Sequence, residues 1–482
     1  VVGRGLPPYN PLAMMFISTR GQAEPASFSD VLLAGLAPDG GLYLPQSWPQ
    51  FSAAEIAAFK GMRYQDVAFT VLSKFTAGSF SDAELREAIE AAYSDFDAPQ
   101  DGVGNVAPLV EMGEGRYLLE LFHGPTLAFK DIALQILGQL FSRALAKRGG
   151  RATVVAATSG DTGSAAIAAL GGLPNILTVV LHPHNRVSDV QRRQMTTSPH
   201  ANVANVAITG SFDDAQSLVK ALFADKAYAD GISLTAVNSI NFARIAAQCV
   251  YYFTATAQLG RPATFVVPTG NFGDIFAGEA AERMGLSAER LVIATNANDI
   301  MARALNDGVY ASGHAHATLS PSMDIQVASN FERALFEAAD RDADWTAAAM
   351  SDFARTRRLA LPDAVLEKLR ARYSAFASDD ADTRAAIAAV YRETGRIIDP
   401  HTAVGVAAAM KMRPRQDQPP SPVVVLSTAH PAKFPEAVTA AIGRAPEVPS
   451  RLAGLEQRAE NYVVLAPEAS LIKQIISSKL AA

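Results

Sequence analysis

From Arg116 onward, short apolar runs alternate with longer amphipathic ones. The runs Tyr117–Phe122, Ala152–Ala157, Ile176–Leu181, Val203–Ile208, Ser233–Val237, Thr264–Val267 and Leu291–Ala294 are apolar at nearly every position. That pattern predicts strands covered on both faces. Helical periods lie between most of them, over Ile132–Lys147, Asp213–Asp225, Phe242–Leu259 and Asp274–Met284. In the first, Ile132, Ile136, Leu137, Leu140, Phe141 and Leu145 share one broad face, and Gly149-Gly150 stops it. Strand followed by helix, repeated, predicts an α/β fold, and the chain is long enough for two parallel sheets side by side.

Residues 15–98 read as a helix-rich N-terminal unit. Ser52-Ala-Ala-Glu55 and Ser81-Asp-Ala-Glu84 are capping-box patterns ahead of helical periods. The charged, glycine-containing stretch 97–104 marks a boundary. Residues 99–330 form the α/β core, with a smaller α/β subdomain nested around 150–255. Residues 331–398 read as a helical insertion, with helices over Glu332–Asp340, Asp363–Ser374 and Asp380–Glu393. Residues 399–482 complete the core with a returning strand, Val423–Leu426, and a helix, Ala432–Ile442. Arg413–Pro422 reads as a surface loop, and the tail after Pro449 is amphipathic without a clear signal. The first fourteen residues, VVGRGLPPYNPLAM, lack a basic-then-apolar signal pattern and read as a vector-derived scar, with the native start near Met14 or Met15.

Composition narrows the function classes. A formal net charge of −6 disfavours non-specific nucleic-acid binding, although one basic pocket for a small anion is compatible with it. No stretch reaches about 18 uncharged apolar residues, so no membrane span is expected. One cysteine, Cys249, cannot close an intrachain disulfide; it points to a core position and to a reducing compartment, the cytoplasm.

Two loops share one form: strand, then Gly-[Asp/Asn]-x-Gly, then helix. They are Thr158-Ser-Gly-Asp-Thr-Gly163, followed by Ser164, and Gly270-Asn-Phe-Gly-Asp274. Glycines at such a junction admit a ligand to the backbone, and the helix start offers free N–H groups. One loop alone is equally well an ordinary βα turn. Two in succession point to two anionic groups, on one ligand or two. Neither is an ATP-hydrolysing P-loop or a Gly-x-Gly-x-x-Gly dinucleotide fingerprint. The hydroxyls of Thr158, Ser159, Thr162 and Ser164 suit a carboxylate or phosphate.

A third element is Glu120-Leu-Phe-His-Gly-Pro-Thr-Leu-Ala-Phe-Lys-Asp131. The Gly124-Pro125 turn puts Lys130 in the first turn of a helix, where the dipole opposes a cation. An amine destabilised as a cation there suits Schiff-base chemistry, and an ordinary surface lysine is the competing reading. A fourth is Asn238-Ser-Ile-Asn-Phe-Ala-Arg244, an anion grip or simply a helix cap with a surface arginine. The fifth, Val423-Val-Val-Leu-Ser-Thr-Ala-His-Pro431, is a strand ending in two hydroxyls. His182/His184 and His314/His316 lack a third ligand at metal spacing, so no metal site is expected.

Together, in this order and spacing, these segments resemble the threonine synthase family. Phe16-Ile-Ser-Thr-Arg-Gly, Ala37-Pro-Asp-Gly-Gly-Leu-Tyr, Phe122–Asp131 and Ser427-Thr-Ala-His-Pro-Ala-Lys-Phe434 match with the others over nearly the whole chain from Met15. The resemblance implies a pyridoxal 5′-phosphate (PLP) enzyme with the tryptophan-synthase-β type of fold. It implies that Lys130 carries the cofactor as a Schiff base and shuttles protons. Gly270, Asn271, Phe272, Gly273 and Asp274 would cradle the cofactor phosphate, and Thr428 would face the pyridine nitrogen. Thr158, Ser159, Gly160, Asp161 and Thr162 would hold the substrate carboxylate, and Asn238, Ser239 and Arg244 the substrate phosphate. The implied reaction converts O-phospho-L-homoserine and water to L-threonine and phosphate, by a monomer or homodimer acting on a small molecule. A phospho-lyase releasing 2-oxobutyrate, and a non-catalytic metabolite-binding relative, remain as alternatives. Related cysteine synthases place Asn after the lysine; Asp131 stands there here, which leaves open which group meets the cofactor's ring hydroxyl.

Overall fold

The computed structural model describes residues 13–97, 106–236, 238–413 and 421–481. The reading of the first fourteen residues, the 97–104 boundary and the 413–422 loop fall mostly outside these. Two sheets organise the molecule. The larger has six strands in the order Tyr373–Ala377, Arg290–Thr295, Thr264–Pro268, Val423–Ser427, Arg116–Glu120 and Leu109–Gly113. Every neighbouring pair is parallel except the last, which forms a hairpin. The smaller sheet is wholly parallel, in the order Val463–Leu465, Val203–Ile208, Ile176–Pro183, Ala152–Ala157 and Leu234–Thr235.

The apolar runs became these strands because both faces are covered. Every residue of Ile176–Pro183 and of Thr264–Pro268 is buried. The helix Phe242–Leu259 is buried on nearly all sides, so it is a core element and not a surface amphipath. It packs against Gly273–Arg283 and Lys130–Lys147. Residues 15–93 add a three-stranded antiparallel sheet and helices Ala53–Ala58, Tyr64–Thr76 and Asp82–Tyr93. Both expected capping boxes form, at Ser52/Glu55 and Ser81/Glu84.

The structure differs from the sequence pattern in three places. The helix expected through Ser374 ends at Arg372, and Tyr373–Ala377 becomes the edge strand of the large sheet. Tyr373 is buried against Phe272, and pairing with Arg290–Thr295 outweighs continuation of the helix. The 331–398 region is therefore not purely helical. Next, Pro400–Lys411 is a buried helix that the apolar pattern did not separate; Asp399 caps it and Pro400 occupies its first turn. Finally, the tail supplies the strand Val463–Leu465 and the helix Ala469–Ala481, whose Ile472 and Ile476 are buried on the small sheet.

Candidate active site

The carboxyl ends of both sheets' strands meet in one cavity. It is lined by Phe129, Lys130, Asp161, Pro268–Ile275, Ser322, Met323, His401, Thr428 and Ala429. Lys130, the whole Gly270–Asp274 loop and Thr428 are thus brought together from distant segments. Lys130 opens the helix Lys130–Lys147 and is only 8% exposed. Its Nζ lies 3.5 Å from Asp161 Oδ2 and 4.9 Å from the ring centre of Phe129. Burial lowers its pKa from the ordinary lysine value; Asp161 opposes this, while Lys433 and Arg244 add to it. Asp131, by contrast, faces away from the cavity. Its carboxylate accepts from Thr126 N at 2.8 Å and Thr126 Oγ1 at 2.7 Å, shaping the turn before Lys130.

The Gly270–Asp274 loop leads directly into a helix start, a backbone form able to receive an anion. Phe272 adopts a left-handed backbone (φ 68°), which turns the chain into the helix Gly273–Arg283. A Cβ on Gly270 would sit 3.0 Å from the carbonyl oxygen of Ser322. Asn271 Oδ1 accepts from Gly273 N at 2.9 Å. Asp274 follows in the first helical turn, but its carboxyl is turned into the core, where Tyr251 and Tyr252 donate to it. Burial pushes it up to about 7, against those two hydrogen bonds and the nearby Arg244.

The Thr158–Gly163 loop is built differently. Gly160 has φ 143°, and a Cβ there would meet Gln191 at 2.5 Å. Thr158 Oγ1 accepts from Gly160 N at 3.0 Å and Gly163 N at 2.9 Å, so it shapes the loop and keeps only its hydrogen to donate. Asp161 and Thr162 begin the helix Asp161–Leu170, whose first-turn N–H groups have no partner within the helix. Of the loop's predicted residues only Asp161 lines the cavity with Lys130; Thr158, Ser159, Gly160 and Thr162 do not. Burial alone would raise Asp161, but Lys433, Lys130 and His401 hold it well below the usual carboxylate range.

Arg244 lies in the first turn of Phe242–Leu259, 4% exposed, and its buried Nε has no hydrogen-bond partner. Burial lowers it to about 10, with Tyr251 and Asp274 opposing. A buried guanidinium nitrogen without a partner is costly and would be satisfied by an anion. Asn238 and Ser239 do not line the Lys130 cavity. Ser239 is tied to it by Asn330, whose Nδ2 donates to Ser239 O (3.1 Å) and Asn271 O (3.2 Å). Arg333 fixes the neighbouring Ile240 carbonyl at 2.6 Å.

Several cavity residues were not anticipated. His401 Nδ1 pairs with Asp399 Oδ1 at 2.9 Å, and its Nε2 accepts from Ser322 N at 3.2 Å. Ser322 Oγ in turn donates to Asp161 Oδ2 at 3.1 Å. The cap pattern Asp399-Pro-His-Thr402 was the available signal for His401; Ser322 and Gln191 carry none. A larger cavity of about 610 Å³ is lined by Glu120, Phe122, His123, Arg396, Ser427, His430 and Arg451, among others, and contains neither glycine loop. Ser427 and His430 face it while Thr428 and Ala429 face Lys130, so that segment separates the two spaces. Among the described residues no acid/His/Cys group could hold a metal ion, and no helix is long and apolar enough to cross a membrane.

The fit to PLP rests on the helix start at Gly270–Gly273 and the buried amine at Lys130, which line one cavity. Comparison with known proteins agrees. Residues 15–93 match the family "Threonine synthase N terminus", 108–429 match "Pyridoxal-phosphate dependent enzyme", and 402–476 match "Threonine synthase, C-terminal". The chain is 49% identical to a threonine synthase of Pseudomonas aeruginosa, over 96% of this chain and 98% of that one. It is 38% identical to the Saccharomyces cerevisiae enzyme, over 89% of each. Its fold superposes on a PLP-bound threonine synthase structure from Brucella melitensis with a TM-score of 0.93 and 48% identity, covering 98% of this chain and 100% of that one.

Proposed function

This chain belongs to the threonine synthase family of pyridoxal-phosphate-dependent enzymes, and we propose that its Lys130 site turns O-phospho-L-homoserine and water into L-threonine and phosphate. Bound PLP supplies an aldehyde that condenses with amines and a ring that draws electrons from the attached carbons. The residues supply placement and protons. Lys130 Nζ would be the amine that carries the cofactor; once released it would act as base at Cα and then at Cβ, the first proton being passed on before the second is taken. The Gly270–Gly273 backbone and the helix start behind it receive the cofactor phosphate. Thr428, which lines the same cavity, would be the partner of the cofactor's pyridine nitrogen. A hydroxyl cannot hold that nitrogen fully protonated as a carboxylate would, which favours elimination and replacement over transamination.

The N–H groups at Asp161 and Thr162 receive the substrate carboxylate, with Thr158, Ser159 and Gly160 shaping that loop. Asn238, Ser239 and Arg244 grip the substrate phosphate, Arg244 through a charge-assisted contact. The leaving group then departs into a site that already favours an anion. The observation that carries the reading is the convergence of the buried Lys130 amine, the Gly270–Asp274 loop and Thr428 on one cavity. The work is done in the cytoplasm on a small molecule, by a monomer or homodimer.

The test is product analysis. Purified protein supplied with PLP and O-phospho-L-homoserine should release threonine and phosphate in equal amounts. Borohydride reduction followed by peptide mapping should label Lys130. Dominant release of 2-oxobutyrate would reject the synthase reading, and a label elsewhere would reject the site.

A further inference from the structure

Two lysines are buried among the described residues, and the mechanism above uses one of them. The other, Lys433, is 0% exposed. It sits in the turn Pro431–Lys433 that follows the large-sheet strand Val423–Ser427. Its Nζ donates to Thr126 O at 2.8 Å and to Asp161 Oδ1 at 2.7 Å. Asp161 belongs to the small-sheet unit, at the start of the helix that follows Ala152–Ala157. The ion pair therefore bridges the two sheets beside the cavity that Asp161 lines. Asp161 is otherwise fully engaged: Gln191 Nε2 donates to Oδ1 at 2.8 Å, and Ser322 Oγ and Lys130 Nζ approach Oδ2 at 3.1 and 3.5 Å.

We propose that Lys433 is a positioning residue of this site: it pins Asp161 across the two units and serves as that carboxylate's permanent counter-ion, leaving Lys130 free to lose its proton. The physical reason is the cost of an unpaired buried charge. If Lys130 were the sole cation beside Asp161, deprotonating it would strand a buried carboxylate. Lys433 removes that penalty, because the pair survives when Lys130 becomes neutral. Its own charge also repels a proton on Lys130. The other charged groups around Lys130 are Arg244 on Phe242–Leu259 and Asp274 on Gly273–Arg283, and His401 on Pro400–Lys411 acts on Asp161. None of these forms an ion pair with Asp161; among the described residues its carboxylate pairs with Lys433 at 2.7 Å and Lys130 at 3.5 Å.

The inference rests on Lys130 being the cofactor amine, and its test separates the two. Protein freed of cofactor is titrated with PLP at a series of pH values, and reductive trapping on Lys130 is quantified by peptide mapping. Trapping in the unaltered chain reports on the proposed site itself. In Lys433→Gln the trapping midpoint should move to higher pH, with trapping at pH 7 slowed about tenfold, the scale of one pH unit. Lys433→Arg should restore the unaltered midpoint to within about twofold in rate. Asp161→Asn should move the midpoint the other way, to lower pH, because it removes the group that favours the Lys130 cation. General loss of structure does not produce shifts of opposite sign. An unmoved midpoint in Lys433→Gln, with the near-ultraviolet dichroism of the folded chain intact, overturns the proposal. If Lys433→Gln does not fold, Asp161→Asn decides alone: a midpoint unmoved or raised overturns it.

Discussion

The two glycine loops follow one template, yet they present opposite electrostatics to the same amine. In the first, Asp161 is surrounded by Lys433, Lys130, Gln191 and Ser322 and stays ionised. In the second, Asp274 turns into the core against Tyr251 and Tyr252, and burial pushes it up to about 7. The backbones are alike in offering N–H groups at a helix start. The difference lies in what packs against the acid one residue or four residues into the loop. A loop's ability to bind an anion is local, but the charge it shows the ligand depends on the tertiary neighbours.

The severest test removes the amine that both loops face. Lys130→Ala should lower threonine formation roughly 10⁴-fold, since it deletes the cofactor's attachment and the proton shuttle together. Substantial phosphate release by that variant would leave the two loops without a common centre. The next test is a pair. Asp161→Asn strands the fully buried Lys433 and should cost about 3–5 kcal/mol in urea unfolding. Asp274→Asn near pH 6 replaces an acid already largely neutral and should cost less than about 1 kcal/mol. Equal losses would erase the distinction drawn above.

A smaller effect is expected on ligand binding. Arg244→Gln should weaken inhibition by inorganic phosphate about 10- to 100-fold, the range for a lost charge-assisted hydrogen bond. The affinity for PLP should change less, because the cradle at Gly270–Gly273 is mainly backbone. A last effect is in the pH dependence of stability. Asp161, depressed in the folded state, contributes stability above its ordinary pKa, and this is lost as pH falls toward its folded value. Asp274 has the opposite sign. Its folded pKa of about 7 exceeds the ordinary 3.8, so the folded state binds the extra proton and stability falls as pH rises from about 4 to 7. Asp274→Asn should flatten that fall, by up to about 1.4 kcal/mol per pH unit, in unfolding curves measured across the window. An unchanged slope would show that Asp274 is already ionised.

Much of the site was legible because its parts are short and local. Lys130, the Gly270–Asp274 loop and Thr428 each sit at a strand end marked by glycine, proline or hydroxyls, and the structure brings them to one cavity. The Asn238–Arg244 segment was legible as a capped helix start, although neither Asn238 nor Ser239 lines the cavity and Ser239 is tied to it through Asn330. Other parts gave no signal. Tyr373–Ala377 continued a helical period, and only pairing beside Arg290–Thr295 made it a strand. Ser322 lies 161 residues from the Asp161 it contacts, in a turn with no motif. Lys433 stood inside a matched segment, but nothing local showed that it would be buried on Asp161.

The chain by itself determined its alternation of strand and helix, the amine at the head of one helix, and the glycine turns at two others. Each of these follows from backbone preferences and side-chain periodicity acting over about ten residues. Only the packed molecule decided which acids keep their charge, which loop residues reach the cavity and where a seemingly helical stretch joins a sheet. Those outcomes depend on desolvation and on partners distant in sequence, and neither is defined until both sheets have formed.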